Sequence, residues 1–335
     1  MKYSLLFLLL CGLAAANLFL GSVSLAPSAI IDVLVHPAAD NSIAHYIVWE
    51  SRLPQLLTAL LSGCALALSG LVMQTVFANP LADPSILGVS SGASLGAALA
   101  MLLLGGSWTL SGMQLSGYLL TIAAAFFGAM AVIFILLVCS SLLRNPLLLL
   151  ITGVMISFAV ASIVSLLSFF ATAEGVRSYV IWGLGDFSGV TLDRLPVFAA
   201  LLLPALGALF LLAKPLNALL LGDDYAANLG VPVVRVRTLL LFLTGWLTAI
   251  VTALCGPIAF IGLAVPHLAR LTLHTANHRQ LLPVTLLCGG NVALACNLLA
   301  HLPGQGGLLP LNAITPLVGV PVVLYILFGY KDLNG

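Results

Sequence analysis

Leu147–Ala171 reads LLLLITGVMISFAVASIVSLLSFFA, with no Asp, Glu, Lys or Arg in it. Its apolar residues run on without alternating. A helix crossing a bilayer needs about 20 such residues, whereas a transmembrane barrel strand alternates apolar and polar over about 10. Val197–Leu212, VFAALLLPALGALFLL, is equally continuous. Both stretches predict helices, because inside lipid a segment must satisfy its own backbone hydrogen bonds.

The same reading extends outward in both directions. No charged residue occurs between Asp83 and Arg144, or between Arg279 and Lys331. Each interval holds two or more spans joined by short turns of Gly, Pro, Asn and Ser. The expected spans are Tyr3–Gly21, Leu53–Phe77, Ile86–Leu104, Leu115–Cys139, Leu147–Ala171, Leu195–Ala213, Thr238–Cys255, Ile258–Leu273, Leu281–Ala300 and Leu309–Phe328, ten in all. The fold class is all-α and polytopic, with the 335 residues forming one transmembrane domain. With 61% apolar and 6% charged residues, the chain lacks the polar surface to clothe a soluble globule. A soluble enzyme, a disordered chain and a nucleic-acid binder are excluded, and membrane lipid is the main solvent.

Charge sets the orientation. With the N-terminus in the cytoplasm, the inside holds Lys2, Arg144, Lys214, Arg235, Arg237, Arg270, Arg279 and Lys331, and the outside holds Arg52, Arg177 and Arg194. That asymmetry obeys the positive-inside rule and puts both termini in the cytoplasm. Lys2, a leucine run and Ala14–Ala16 imitate a signal peptide, but the apolar run continues through Leu20, so an uncleaved first span is expected. The six cysteines are scattered without a C-x-x-C and read as small core residues, not metal ligands.

Local motifs add detail. Gly88, Gly92 and Gly96 form a small-xxx-small stripe, as do Ala59, Gly63 and Ala67, and such stripes let helices approach closely in lipid. Asn79–Asp83 with Pro80 and Pro84, and Gly256-Pro257 with Pro266, break the chain beside apolar spans. Broken backbone at membrane depth fits either tight packing or a transport path. Leu221–Val231, LGDDYAANLGV, predicts a helix of about two turns with Asp223 as N-cap, Asp224 at its positive end and Gly230 past its end. Tyr225, Ala226 and Leu229 are expected on its apolar side. A helix this short needs something to pack on. Ser178–Gly183 predicts another short helix, in the outer connection 172–194.

Gly183-Leu184-Gly185-Asp186 matches the G-x-G-D element of intramembrane aspartyl proteases, but that chemistry needs two carboxylates in the membrane and the spans contain none. His274 and His278, spaced i, i+4, read as a solvated loop face rather than a metal pair. None of the three lysines is followed by Ser or Thr, so no Walker A motif exists and the chain cannot hydrolyse ATP through one.

Arg52-Leu53-Pro54, GCALALSG (63–70), NPLADPSILGVSSGAS (79–94), LGDDYAANLGV (221–231), GPIAFIGLAVPHLAR (256–270) and LNAITPLVGVP (311–321) occur together in this order. The chain thereby resembles the permease subunits of ABC importers for iron-siderophores, haem and vitamin B12, the FecCD type. The resemblance implies ten helices per subunit with spans two to five and seven to ten as inverted repeats. It implies a second permease (a copy or a paralogue), two cytoplasmic ATPase subunits that hold ATP and Mg, and a periplasmic binding protein. No cofactor is implied for this chain, and the location is the bacterial inner membrane. Gly222, Asp223, Asp224, Tyr225, Ala226, Leu229 and Gly230, within the connection 214–237, become the element docking in the ATPase. Ser165, Ser168 and Phe169 on the fifth span, with Ser178 and Trp182 in the outer helix, become path and gate candidates. Asn79, Pro80, Asp83, Pro84, Gly88, Gly92, Gly96, Gly256, Pro257, Pro266, His267 and Arg270 take packing roles. Arg52, Arg177 and His301 become candidates for docking the binding protein.

The chain departs from that pattern at Gln55, where many relatives carry Arg, at His301, near another common Arg, and at Asn297, where Asp is common. Leu308-Leu309-Pro310 stands where many have E-L-P. The sequence thus predicts a transport subunit and no enzyme, with a ferric chelate as the first substrate reading and vitamin B12 as the alternative. A stand-alone secondary transporter is the remote alternative.

Overall fold

The computed structural model describes residues 2–36, 43–103, 108–110, 113–115, 117–142, 146–301 and 309–331. Leu104, Arg144 and Leu308, which entered the sequence reading, lie outside the described residues.

The helices in chain order are α1 (Lys2–Phe19), α2 (Pro27–Val35), α3 (Ile43–His45), α4 (Leu53–Val76), α5 (Val89–Ala98), α6 (Gly117–Leu142), α7 (Pro146–Phe170) and α8 (Ala173–Gly183). They continue with α9 (Leu195–Leu211), α10 (Ala213–Leu219), α11 (Asp223–Asn228), α12 (Val233–Cys255), α13 (Ile261–Leu273), α14 (His278–His301) and α15 (Leu311–Lys331). A π-helical stretch, Tyr46–Arg52, joins α3 to α4, and another, Leu99–Leu103, extends α5. Among the described residues six helical segments are long and apolar enough to span alone, α9 with α10 makes a span bent by 56°, and Val89–Leu103, Ile261–Leu273 and Leu311–Leu324 are shorter apolar helices. Six, one and three account for the ten expected spans.

Three local features differ from expectation. The connection 22–51 contains α2, started by Pro27 at its first position and burying Ile30 and Val33 against Val48. The outer helix is longer, beginning at Ala173, because Thr172 caps it by accepting the Gly175 N–H at 3.2 Å. A two-stranded hairpin, β1 (Trp108–Leu110) on β2 (Met113–Leu115), precedes α6 and is the one departure from an all-α fold among the described residues.

Helix pairing is reciprocal. α4 packs on α13 and α14, α12 packs on α5 and α6, and α4 meets α12. Likewise α5 touches α7, and α13 touches α15. Each half thus lends its first helix to the other, an exchange that fits the expected repeat. The close approaches rest on small residues. A methyl at Gly92 would lie 2.5 Å from the Gly128 carbonyl oxygen of α6, and one at Gly63 would strike the Gly289 carbonyl of α14. With no hydrophobic drive between helices in lipid, backbone proximity supplies the association. α1, α6 and α7 line the outside of this core, and α7 exposes Phe158, Leu166, Phe169 and Phe170.

Candidate functional site

α11 is built as its sequence suggests but is oriented differently. The N-cap is Gly222 (φ +97°), not Asp223. Asp223 instead accepts two hydrogen bonds from Nη2 of Arg237 on α12, at 2.8 and 2.7 Å. A free acidic cap has thus become an anchor. Arg237 is buried, so this pairing also removes the cost of leaving its charge alone. At the other end Gly230 (φ +83°) and Val231 donate to the Ala227 and Ala226 carbonyls, at 2.9 and 3.0 Å, a Schellman stop. The expected apolar side divides. Ala226 is fully buried toward the bundle, whereas Tyr225 and Leu229, one turn apart, are 55% and 59% exposed. Two apolar side chains therefore project from a short helix whose back is fixed.

The end of the bundle carrying α11 is polar and interlocked. Arg270 donates from Nη1 to Oε1 of Gln74 at 2.5 Å, and Gln74 Nε2 donates to the Leu263 carbonyl at 3.1 Å. His267 Nε2 meets the Pro80 carbonyl at 2.9 Å. Asn79 caps its own turn, with Oδ1 accepting the Leu81 N–H, and Asp83 accepts the Ser85 N–H at 2.8 Å and the Ser85 hydroxyl. Burial pushes the Asp83 carboxyl above its usual range, while the Ser85 bonds pull it down. Gly88 takes a left-handed conformation (φ +86°) as N-cap of α5, so it starts the helix while Gly92 and Gly96 do the packing. His274 and His278 do not share a face. His274 is exposed and ends α13 in a left-handed conformation (φ +55°), and His278 is buried at the start of α14.

The opposite end holds the expected docking residues, and the structure separates them. Arg52 is 6% exposed. Its guanidinium donates to the carbonyls of Leu18 (2.6 Å), Phe19 (3.1 Å) and Val23 (2.5 Å). Two of these are last-turn α1 carbonyls, left without partners by the end of the helix. Arg52 is therefore a clamp on α1 rather than a free docking cation. Arg194 lies 4.5 Å over the Tyr118 ring. Arg177, on α8, is exposed. His301 faces inward, with Nδ1 at 2.6 Å from the Asn297 carbonyl and Nε2 at 3.0 Å from Gln55 Nε2. Asn297 Nδ2 donates to Asn17 Oδ1 at 2.8 Å. Three of the departures noted above, Gln55, Asn297 and His301, thus meet around one cavity of about 130 Å³, with Asn17 and Arg52 in its wall.

Two gate candidates also converge. Ser178 and Trp182 border a cavity of about 220 Å³ together with Tyr118, Thr121 and Leu254. Ser165 and Phe169 instead lie on the exposed face of α7, and Ser168 hydrogen-bonds its own helix at the Val164 carbonyl. Beside the cavity, Asn312 at the start of α15 joins three segments. Its Nδ2 donates to the Gly183 and Pro257 carbonyls at 2.9 and 2.7 Å, and its Oδ1 accepts the Ala259 N–H at 3.1 Å. Gly256 (φ +73°) leaves no room for a methyl against the Trp182 carbonyl, and Pro257 follows it in the same junction. Pro266 lies within α13 and is buried. Asp186 is exposed and closes its own turn by accepting the Ser188 N–H at 2.9 Å, so it does the work of a turn residue. The sequence reading gave no site role to Asn312, Arg237 or Gln74. Their only local signal was polarity at the edge of an apolar span.

Broken helices, a short helix fixed at one end of the bundle and cavities at the other are features that transport folds use. The FecCD transport family matches residues 6–329, and the chain belongs to that family. It is 38% identical over 280 residues to the vitamin B12 import system permease protein BtuC of Klebsiella pneumoniae, covering 84% of this chain and 82% of that one. The BtuC protein of Salmonella newport is likewise 38% identical, over 84% and 83%. A solved structure described as an inward-facing conformation of an ABC transporter assigned to the metal-chelate type superposes with a TM-score of 0.83 at 32% identity, covering 98% of each chain. The chain is accordingly a multi-pass permease subunit of an ABC importer, a class that works with ATPase and binding-protein partners. That assignment displaces the stand-alone carrier and the membrane-enzyme readings.

Proposed function

We propose that this permease imports a corrinoid of the vitamin B12 type. The observation that carries the reading is the 38% identity to vitamin B12 import permeases across 84% of the chain. A cobalt corrin is itself a metal chelate, so the resemblance to a metal-chelate transporter agrees with it. The ferric chelate that the sequence alone placed first becomes the second reading, and that same structural relative is what favours it.

In this reading two permeases, copies or paralogues, enclose the path in a bacterial inner membrane, with both termini of this chain in the cytoplasm. ATP and Mg reside on the ATPase partners. Tyr225 and Leu229 enter the ATPase groove, while Ala226 and the Asp223–Arg237 pair hold the helix from behind. Arg177 is the outer arginine best exposed for carboxylates of the binding protein, and Ser178 and Trp182 border the outer gate. Ser165, Ser168 and Phe169 line the path from α7.

The test is uptake by proteoliposomes holding the permease, its ATPase and its binding protein. ATP-dependent uptake of labelled cyanocobalamin is expected, undiminished by excess ferric siderophore or haem. Uptake of a ferric siderophore or of haem with no cyanocobalamin uptake would overturn the corrinoid reading in favour of the second.

A further inference from the structure

α10 forms the bent end of the sixth span and leads within three residues into α11. Two separate tethers leave this unit. One is the Asp223–Arg237 pair, which fastens α11 to α12. The other begins at Asn217 in the middle of α10. Asn217 Oδ1 accepts the backbone N–H of His278 at 2.7 Å and lies 3.0 Å from His278 Nδ1. Asn217 Nδ2 donates to Asn277 Oδ1 at 2.9 Å, and Asn277 in turn caps α14 by accepting the Arg279 N–H at 3.0 Å. The α14 N-terminus, which has orphan N–H groups to satisfy, is therefore capped partly by a side chain from α10.

The chain of contacts continues inward. An amide oxygen can only accept, so Nδ1 of His278 carries the proton, and Nε2 faces the Thr75 hydroxyl on α4, 2.9 Å away, a hydroxyl shared with the Leu71 carbonyl of its own helix at 3.0 Å. His278 is 1% exposed and Thr75 5%, so neither bond competes with water. The next residue, Gln74, binds Arg270 and the Leu263 carbonyl of α13. Hydrogen bonds, bridged on α4 by the covalent link of Thr75 to Gln74, thus connect α10 through α14 and α4 to α13.

We propose that Asn217, His278 and Thr75 are positioning residues that link movement of α10 and α11 to the transport core. Displacement of α11 by the ATPase carries α10 with it. Asn217 then draws on the first turn of α14, and His278 passes the displacement to α4. The ion pair delivers the same movement to α12. The inference rests on the proposed role of α11 in docking the ATPase.

The test uses the complete reconstituted importer and reads substrate transported per ATP hydrolysed. Asn217→Ala and Thr75→Val each lower that ratio about tenfold, within the usual range of coupling energies, while ATP hydrolysis stays within about twofold. Thr75→Val matters because it keeps the side-chain shape and removes only the hydroxyl, and Thr75→Ser restores the ratio. The double variant Asn217→Ala with Thr75→Val is no worse than either single one, as expected for two links of one path. A ratio that stays at the wild-type value, or transport and hydrolysis falling in proportion as the protein loses stability, would make these residues structural only and overturn the proposal. Wild-type uptake is measured first. If cyanocobalamin is not carried, the substrate reading fails by itself, and the ratio is read with the chelate that the wild type does carry.

Discussion

The chain breaks twice in equivalent places, at 78–88 between α4 and α5 and at 256–260 between α12 and α13, and the two breaks are fastened differently. Both start the following helix from a left-handed residue, Gly88 (φ +86°) in one and Phe260 (φ +69°) in the other. The first is held by several side chains from both sides of the junction: Gln74, Arg270, His267, Asn79 and Asp83. The second is held largely by one, since Asn312 takes two carbonyls and one N–H of the surrounding loops. A distributed junction survives the loss of a member, whereas a single-residue junction does not. The distributed end is the one that carries α11, where force from a partner would enter. The single-residue end borders the cavity of Ser178 and Trp182, the proposed outer gate.

The sharpest way to break this contrast is Asn312→Ala. It strands the Gly183 and Pro257 carbonyls and the Ala259 N–H in a part-buried junction, at up to about 1–3 kcal/mol for each group. A loss of roughly 3 kcal/mol or more is expected, seen as a lowered melting temperature in detergent together with loss of uptake. Gln74→Leu is the matching cut at the other end and should cost about 1–3 kcal/mol, because the His267–Pro80 and Asp83–Ser85 bonds remain. Equal losses from the two substitutions would erase the distinction between the junctions.

Gly88→Ala tests the shared left-handed start. A side chain there costs about 1–2 kcal/mol, and a methyl would also crowd the Gly153 carbonyl at 3.1 Å. Unfolding measurements that show no loss would mean the break relaxes freely.

The smallest effect is electrostatic. Burial raises the folded-state affinity of Asp83 for its proton. Its contribution to stability is therefore fully present below the ordinary carboxylate value of about 4 and is lost as pH rises through the raised folded value. Asp83→Asn keeps an oxygen for Ser85 and should flatten melting temperature against pH over that interval. A variant whose melting profile still falls with pH as the wild type does would assign the slope to another group.

Much of the architecture was legible without coordinates. Leu147–Ala171 had to be a helix across lipid, because its length and its lack of charge admit no other backbone solution. Gly92 and Gly96 announced close packing, and Asp223 and Gly230 bracketed α11 to within a residue, although Gly222 and not Asp223 is the N-cap. The substrate reading was less secure, since a ferric chelate and a corrinoid make similar demands on an apolar path, and similarity to vitamin B12 permeases moved the choice.

What the sequence by itself determined is what depends on neighbours in the chain: the spans, their breaks, the small-residue stripes and the helix stops. What only the tertiary structure decided is where each polar side chain is spent. Arg52 looked like a docking cation until the carbonyls of Leu18, Phe19 and Val23 claimed it. His278 looked solvated until Thr75 and Asn217, 203 and 61 residues away, enclosed it. Gln55 and His301 were separate departures from a pattern until folding brought them to 3.0 Å across 246 residues. Hydropathy is a local quantity, and lipid turns it directly into helix length. A hydrogen bond needs a partner at about 3 Å, and in this bundle that partner comes from a distant span whose register only packing fixes.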